Sequence, residues 1–126
     1  MKRTVLAVIL AVIAIAAAIC ELLYVKNKTD YYISSINKID ELVKEKELSS
    51  ALSLCEETEK SWYSHTASID ILLIHDYVDS IGISISKMHS YLSSSDEKMY
   101  FSESAGAKKA LASIKESEYP NFENIL

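Results

Sequence analysis

Apolar residues first run unbroken along this chain and then become periodic. From Thr4 to Val25 every position is apolar except Thr4, Cys20 and Glu21. Downstream the apolar positions recur every three or four residues, the spacing of one face of an α-helix. Over 30–46 they are Tyr32, Ile33, Ile36, Ile39, Leu42 and Val43, with Ser34, Lys38, Asp40, Glu41 and Glu45 expected on the opposite, polar face. The polar stretch Lys44 to Glu47 predicts a turn. A second helix is then expected from Leu48, with Leu48, Leu52, Cys55, Trp62, Ile69 and Leu73 on its inner face and Glu59 and Thr66 filling two slots of the repeat. Asp76 and Asp79 have capping-box spacing, which predicts a new helix starting at Asp76. Val78, Ile81, Ile85, Met88 and Leu92 follow in a regular alternation, with Gly82 read as lying off that face. Ser93 to Asp96 predicts a second turn, with Asp96 as N-cap of a fourth helix. That helix uses Tyr100, Ala107, Leu111 and Ile114 and stops before Pro120, because the residue preceding proline is biased away from helix. The small residues Ala105, Gly106, Ala107, Ala110 and Ala112 are expected to permit close helix approach.

The fold class predicted is all-α: an N-terminal transmembrane helix (1–25) followed by a small bundle of four helices in two stacked antiparallel hairpins (26–126). Two glycines and one proline, the first of them Gly82, leave the first 81 residues free of backbone breakers. Nothing between Val25 and Tyr31 forces a break, so the first body helix is expected to continue straight from the apolar run. Each hairpin is about 45 residues long, but the two share no motif, so no repeat architecture is read.

Twenty-two residues at 1.5 Å each make a helix of about 33 Å, enough for a hydrocarbon core of about 30 Å. A secretory signal has a shorter apolar region and a small-residue cleavage site. Ala14-Ile15-Ala16 and Ala16-Ala17-Ala18 resemble such sites, yet the run continues through Leu22, Leu23, Tyr24 and Val25, which favours a retained anchor. A lipoprotein modified at Cys20 fits poorly, because the residue before the cysteine should be small and Ile19 is not. Lys2 and Arg3 point to a cytoplasmic N-terminus, hence a single-pass protein of the cell membrane with its C-terminal domain outside. Tyr24, Tyr31 and Tyr32 fall at the outer boundary, where amphipathic rings are favoured, although helix packing explains Tyr31 and Tyr32 equally well.

Charge narrows the partners. Setting aside Lys2, Arg3 and Glu21 leaves 11 basic and 17 acidic residues in the body, a formal charge of −6. No basic stripe interrupts it, so nucleic acid is not an expected partner. Cys20 and Cys55 cannot form a disulfide framework with one of them inside the apolar run.

The candidate chemistry is sparse. His75 with Asp79 forms an i, i+4 pair beside Asp76 and can hold a metal only with a third ligand, such as His65, from elsewhere. The simpler reading has Asp76 capping a helix and His75 finishing the one before. His89 is expected at the edge of the third helix's apolar stripe. Cys55 reads as a small buried hydrophobe, since Glu56, Glu57 and Glu59 make its surroundings negative and unsuited to a thiolate. Ser84 and Lys87 match Ser-x-x-Lys by letter only. Trp62 reads as core, with a binding anchor as the alternative. Phe122, Ile125 and Leu126 form an apolar tail expected to pack back on the bundle, or else to dock in a partner. No cofactor and no catalytic residue is implied, and the chain is not expected to be an enzyme.

Trp62, the stretch Leu72-Leu73-Ile74-His75-Asp76-Tyr77-Val78-Asp79-Ser80-Ile81 and the terminal Glu123-Asn124-Ile125-Leu126 carry a resemblance. With these residues the chain resembles the bacterial family grouped as domain of unknown function 4363, short proteins with an N-terminal membrane helix and a charged helical body. The chain is richer in serine than that pattern. The resemblance implies a bacterial membrane protein from a spore-forming or related Gram-positive lineage, and it assigns no catalytic residue. The function expected is a helical interaction or accessory module for another membrane protein. The alternative is an extracytoplasmic metal- or ligand-binding domain.

Overall fold

The computed structural model describes residues 1–69 and 75–118. Four α-helices make up these residues, with no strand among them: α1 (Lys2–Lys44), α2 (Leu48–Ile69), α3 (His75–Ser93) and α4 (Glu97–Glu118). As the absence of breakers implies, α1 runs 43 residues without interruption. Among the described residues each helix packs against two others, α1 on α2 and α4, and α3 on α2 and α4, with no diagonal pairing. Two antiparallel hairpins therefore stack side by side into a four-helix bundle.

The inner positions keep a four-three alternation on every helix. They are Val25, Thr29, Tyr32, Ile36, Ile39 and Val43 on α1, and Ala51, Cys55, Thr58 and Trp62 on α2. On α3 they are Val78, Ile81, Ile85, Met88 and Leu92, and on α4 Tyr100, Ser104, Ala107, Leu111 and Ile114. Such a seam lets neighbouring helices interdigitate at a shallow crossing angle. The face expected on α3 is the one observed.

Three expectations change. On α2, Leu48 and Leu52 only flank the core, and the central slots go to Ala51 and Thr58. Thr58 is tolerated there because its hydroxyl donates to the Leu54 carbonyl at 2.8 Å, whereas a carboxylate in the slot would need a buried partner. Glu59 accordingly sits on the flank facing α3. Gly82, read as off the inner face, is buried against Trp62. Of the small residues on α4 only Ala107 lies in the core. Ala105 and Gly106 face solvent, and a Cβ built on Gly106 would meet nothing within 4 Å.

Both described turns have the same geometry. In the first, Glu47 N–H donates to Leu42 O at 2.9 Å and Lys46 N–H to Val43 O at 3.1 Å, with Lys46 at φ 63°. In the second, Asp96 N–H donates to Tyr91 O at 2.8 Å and Ser95 N–H to Leu92 O at 3.2 Å, with Ser95 at φ 58°. These paired bonds close a helix through a left-handed residue, a position where glycine is usual. As expected, Asp96 caps α4, its carboxylate accepting from Met99 N–H at 3.2 Å. Lys46 Nζ reaches both Glu97 carboxylate oxygens at 2.9 Å, tying the two turns together at one end of the bundle.

α1 has two unlike halves. Val5, Leu6, Val8, Ile9, Leu10, Val12 and Ile13 are all about half exposed or more, and no residue of its most apolar 18-residue window is buried. Among the described residues it is the one helix long and apolar enough to cross a membrane, a property that spans share with signal sequences. Burial begins at Val25, where the apolar run ends.

Candidate functional site

A surface cluster of polar side chains bridges α2 and α3. Glu59 sits one turn before Tyr63 on α2, and Ser86 and His89 lie three residues apart on α3, so all four reach the same strip between the helices. Ser86 Oγ donates to Glu59 Oε1 at 2.9 Å, and Tyr63 Oη and Ser86 Oγ share a hydrogen bond of 3.0 Å. The other oxygen, Glu59 Oε2, accepts from His89 Nδ1 at 3.0 Å. Glu56, Lys60, Tyr63, Glu59 and His89 line a shallow cleft of about 450 Å³ over this strip.

The bond from Nδ1–H to Glu59 fixes the orientation of the His89 ring. Ser86 donates to the Glu59 carboxylate rather than to the imidazole, so the strip holds no Ser–His hydrogen bond. Its groups are fixed donors and acceptors, suited to hydrogen bonding.

Of the residues singled out from sequence, Trp62 is core, 2% exposed, with its ring edge-on to Tyr32 at 4.9 Å between centroids. Tyr32 Oη also shares a 3.1 Å hydrogen bond with Ser61 Oγ, and burial pushes the Tyr32 phenol above its ordinary range. Trp62 Nε1 has no hydrogen-bond partner among the described residues and faces Gly82. Cys55 is fully buried, and burial, reinforced by the Glu59 charge, pushes its thiol up to about 12. That thiol is inert at neutral pH. Ser84 and Lys87 form no catalytic pair, since Lys87 points to Glu103 at 3.9 Å.

His75, Asp76 and Asp79 fall together at the start of α3. The expected start at Asp76 is corrected: α3 is already helical at His75, which leaves Asp76 within the first turn. There its charge meets the positive end of the helix dipole. Asp76 and Asp79 are exposed. His65, the suggested third ligand, instead turns Nδ1 to its own helix, 2.7 Å from Ser61 O. No group of three or more His, Cys, Asp or Glu side chains among the described residues is arranged to hold a metal ion. Leu73 and the tail residues Phe122, Ile125 and Leu126 lie outside the described residues.

The charge that the sequence hid is Asp40. Expected on the polar face of α1, it is 6% exposed. Its Oδ1 accepts from Tyr100 Oη at 2.7 Å and Ser104 Oγ at 2.6 Å, and its Oδ2 from Lys108 Nζ at 2.7 Å. Lys108 also reaches Asn37 Oδ1 at 3.1 Å. All three donors of Asp40 come from successive turns of α4, which makes burial tolerable and fixes how α4 lies along α1. Burial and the adjacent Asp40 carboxylate push the Tyr100 phenol far above its ordinary value. The missed signal was the α4 series Tyr100, Ser104 and Lys108, three donors spaced four apart.

Comparison with known proteins adds a family but no activity. No curated protein and no solved structure matches the chain. A family model described as a domain of unknown function (DUF4363) matches residues 19–125, a range that takes in the whole bundle and leaves most of the exposed apolar half of α1 outside. The chain belongs to the DUF4363 family.

Proposed function

We propose that this protein is a single-pass membrane protein whose outward-facing helical bundle serves, without enzymatic activity, as an interaction or accessory module for another membrane protein. The observation that carries the reading is the division of α1. One helix presents an apolar surface with no residue buried over 18 positions, then turns the same backbone into the bundle's inner seam from Val25 onward. Apolar surface of that size is stable only when something other than water covers it. Lys2 and Arg3 favour the cytoplasm for the short end, which puts the bundle outside. The strip of Glu59, Tyr63 and His89 supports the interaction role, since it offers fixed donors and acceptors on two rigid helices.

Photo-cross-linking in the native membrane tests the reading, with a photoreactive residue at Glu56, beside the strip, or at Ser102 on the outer face of α4. A single membrane protein captured from position 56 and not from 102 is the expected outcome. Identical products from both positions would sink the interaction role. A mature chain beginning after Ala16 or Ala18 would sink the anchor.

A further inference from the structure

We propose that the end of the bundle opposite its two described turns rests directly on the headgroup layer of the bilayer that holds α1, so that lipid is the partner of that end. This inference rests on the anchor reading above. It begins with three contacts that set the heights of the helices along α1. Tyr32 meets Trp62 and Ser61 on α2, Trp62 packs over Gly82 on α3, and Asp30 Oδ1 is paired with Lys115 Nζ on α4 at 2.9 Å.

From Tyr32 to Val25, where the apolar run ends, is seven residues, or about 10 Å of helix. From Trp62 to Ile69, the last described residue of α2, is also seven, and so is the distance from Gly82 back to His75, the first described residue of α3. From Lys115 to Glu118 on α4 is three, which reaches the level of Asn27. The described parts of three helices therefore reach to within about one turn of the height at which α1 changes from apolar to polar. No stalk separates bundle from apolar run. Leu22 is already partly covered, and Val25 is 4% exposed.

The side chains at this height suit an interface between lipid and water. Tyr24 lies under the Lys28 ammonium, which is 5.9 Å from its ring centroid, and Tyr31 stands 52% exposed. Tyrosine rings and lysine stems of this kind sit at the headgroup level. The charges are mixed: Lys26, Lys28 and Lys115 against Asp30, Asp76, Asp79 and Glu116. Anionic lipid is therefore not required, and phosphatidylcholine alone is sufficient.

Full-length protein in phosphatidylcholine vesicles containing headgroup-nitroxide lipid provides the test. Cys55→Ala combined with Cys20→Ser removes both native thiols, and a fluorophore is then placed by Asp76→Cys on α3, Glu116→Cys on α4 or Ser94→Cys at the far end. All three positions are exposed. A fourth sample keeps Cys20 and carries the fluorophore there. Emission from positions 76 and 116 should be largely lost to the headgroup quencher, while emission from 94 persists and the label at 20 is shielded from aqueous iodide. If 76 and 116 emit as strongly as 94 while 20 remains shielded, the bundle stands clear of the membrane and the inference is overturned with the anchor intact. A label at 20 quenched by iodide overturns both.

Discussion

Two of the four seams of the bundle handle polarity in opposite ways. Between α1 and α4 a carboxylate is taken inside and surrounded by three donors, Tyr100, Ser104 and Lys108. Between α2 and α3 the carboxylate Glu59 stays at the rim with Ser86 and His89, and the interior is shaped by an indole laid over a glycine. The first seam depends on a complete set of partners, and its failure is abrupt. The second depends on volume, and it fails by degrees. A buried charge specifies one register strongly because every slipped register leaves it unpaired, whereas shape alone distinguishes registers by smaller increments.

The widest gap between the seams is expected on removing their central groups. Asp40→Ala leaves two hydroxyls and an ammonium without their acceptor and should destabilise the protein by about 3 kcal/mol, the low end for a broken buried pair because Lys108 keeps some access to water. Urea unfolding of the full chain in micelles, followed through its single tryptophan, Trp62, measures the loss. A loss below that of the corresponding rim change, Glu59→Ala, would break the comparison.

Alkaline pH probes the buried thiol and phenols of the core. Folding holds the Cys55 thiol neutral up to about 12, and the Tyr32 and Tyr100 phenols are also held above their ordinary range. Unfolding frees these groups to ionise, so the stability they contribute is complete below the unfolded values and drains away as pH rises past them. Unfolding free energy measured against pH should therefore fall from about pH 9, and Cys55→Ala should delay that onset to the tyrosine range near about pH 10. An unchanged onset in the variant would show that the thiol is not shielded.

The glycines sharpen the shape argument. A Cβ on Gly82 would lie 3.2 Å from Trp62 Nε1 and 3.3 Å from Tyr63 Oη, and the buried indole has little room to yield. Gly82→Ala should therefore cost about 1 kcal/mol net of its helix-propensity gain, while Gly106→Ala, with open space, should stabilise by up to about 1 kcal/mol. Thermal melts of the two variants should move in opposite directions. The smallest effect belongs to the rim, where His89→Ala should change stability by less than about 1 kcal/mol because the pair with Glu59 is partly solvated.

What was legible in the sequence follows the same division. Val78, Ile81, Ile85, Met88 and Leu92 could be read because periodicity is a local property, and Asp96 because a cap bonds within its own first turn. Asp40 is harder to read, since its donors lie 60 or more positions away and only their spacing of four on α4 points to it. Gly82 was misplaced for a related reason: a glycine's role depends on what faces it, and Trp62 is on another helix. On α2 the periodicity places Cys55 and Trp62 correctly but sets the alternate slots one residue late, because hydropathy ranks Leu52 over Ala51 and cannot tell that Thr58 will satisfy its own hydroxyl. The left-handed turn residues Lys46 and Ser95 carried no signal, since neither is the glycine or asparagine that usually marks such a position.

The unbroken course of α1 makes the protein a lever. With no hinge between Lys2 and Lys44, whatever angle the apolar half adopts is imposed on the half that carries the bundle. From Val25 to Lys44 the arm is about 29 Å long. A helix that tilts by about 20° to fit a thinner bilayer would swing the far end of that arm sideways by about 10 Å. Lys46 and Glu97, joined at the tip, would travel with it. With α1 anchored as proposed, bilayer thickness would be converted into lateral position of the two turns, with no rearrangement inside the bundle.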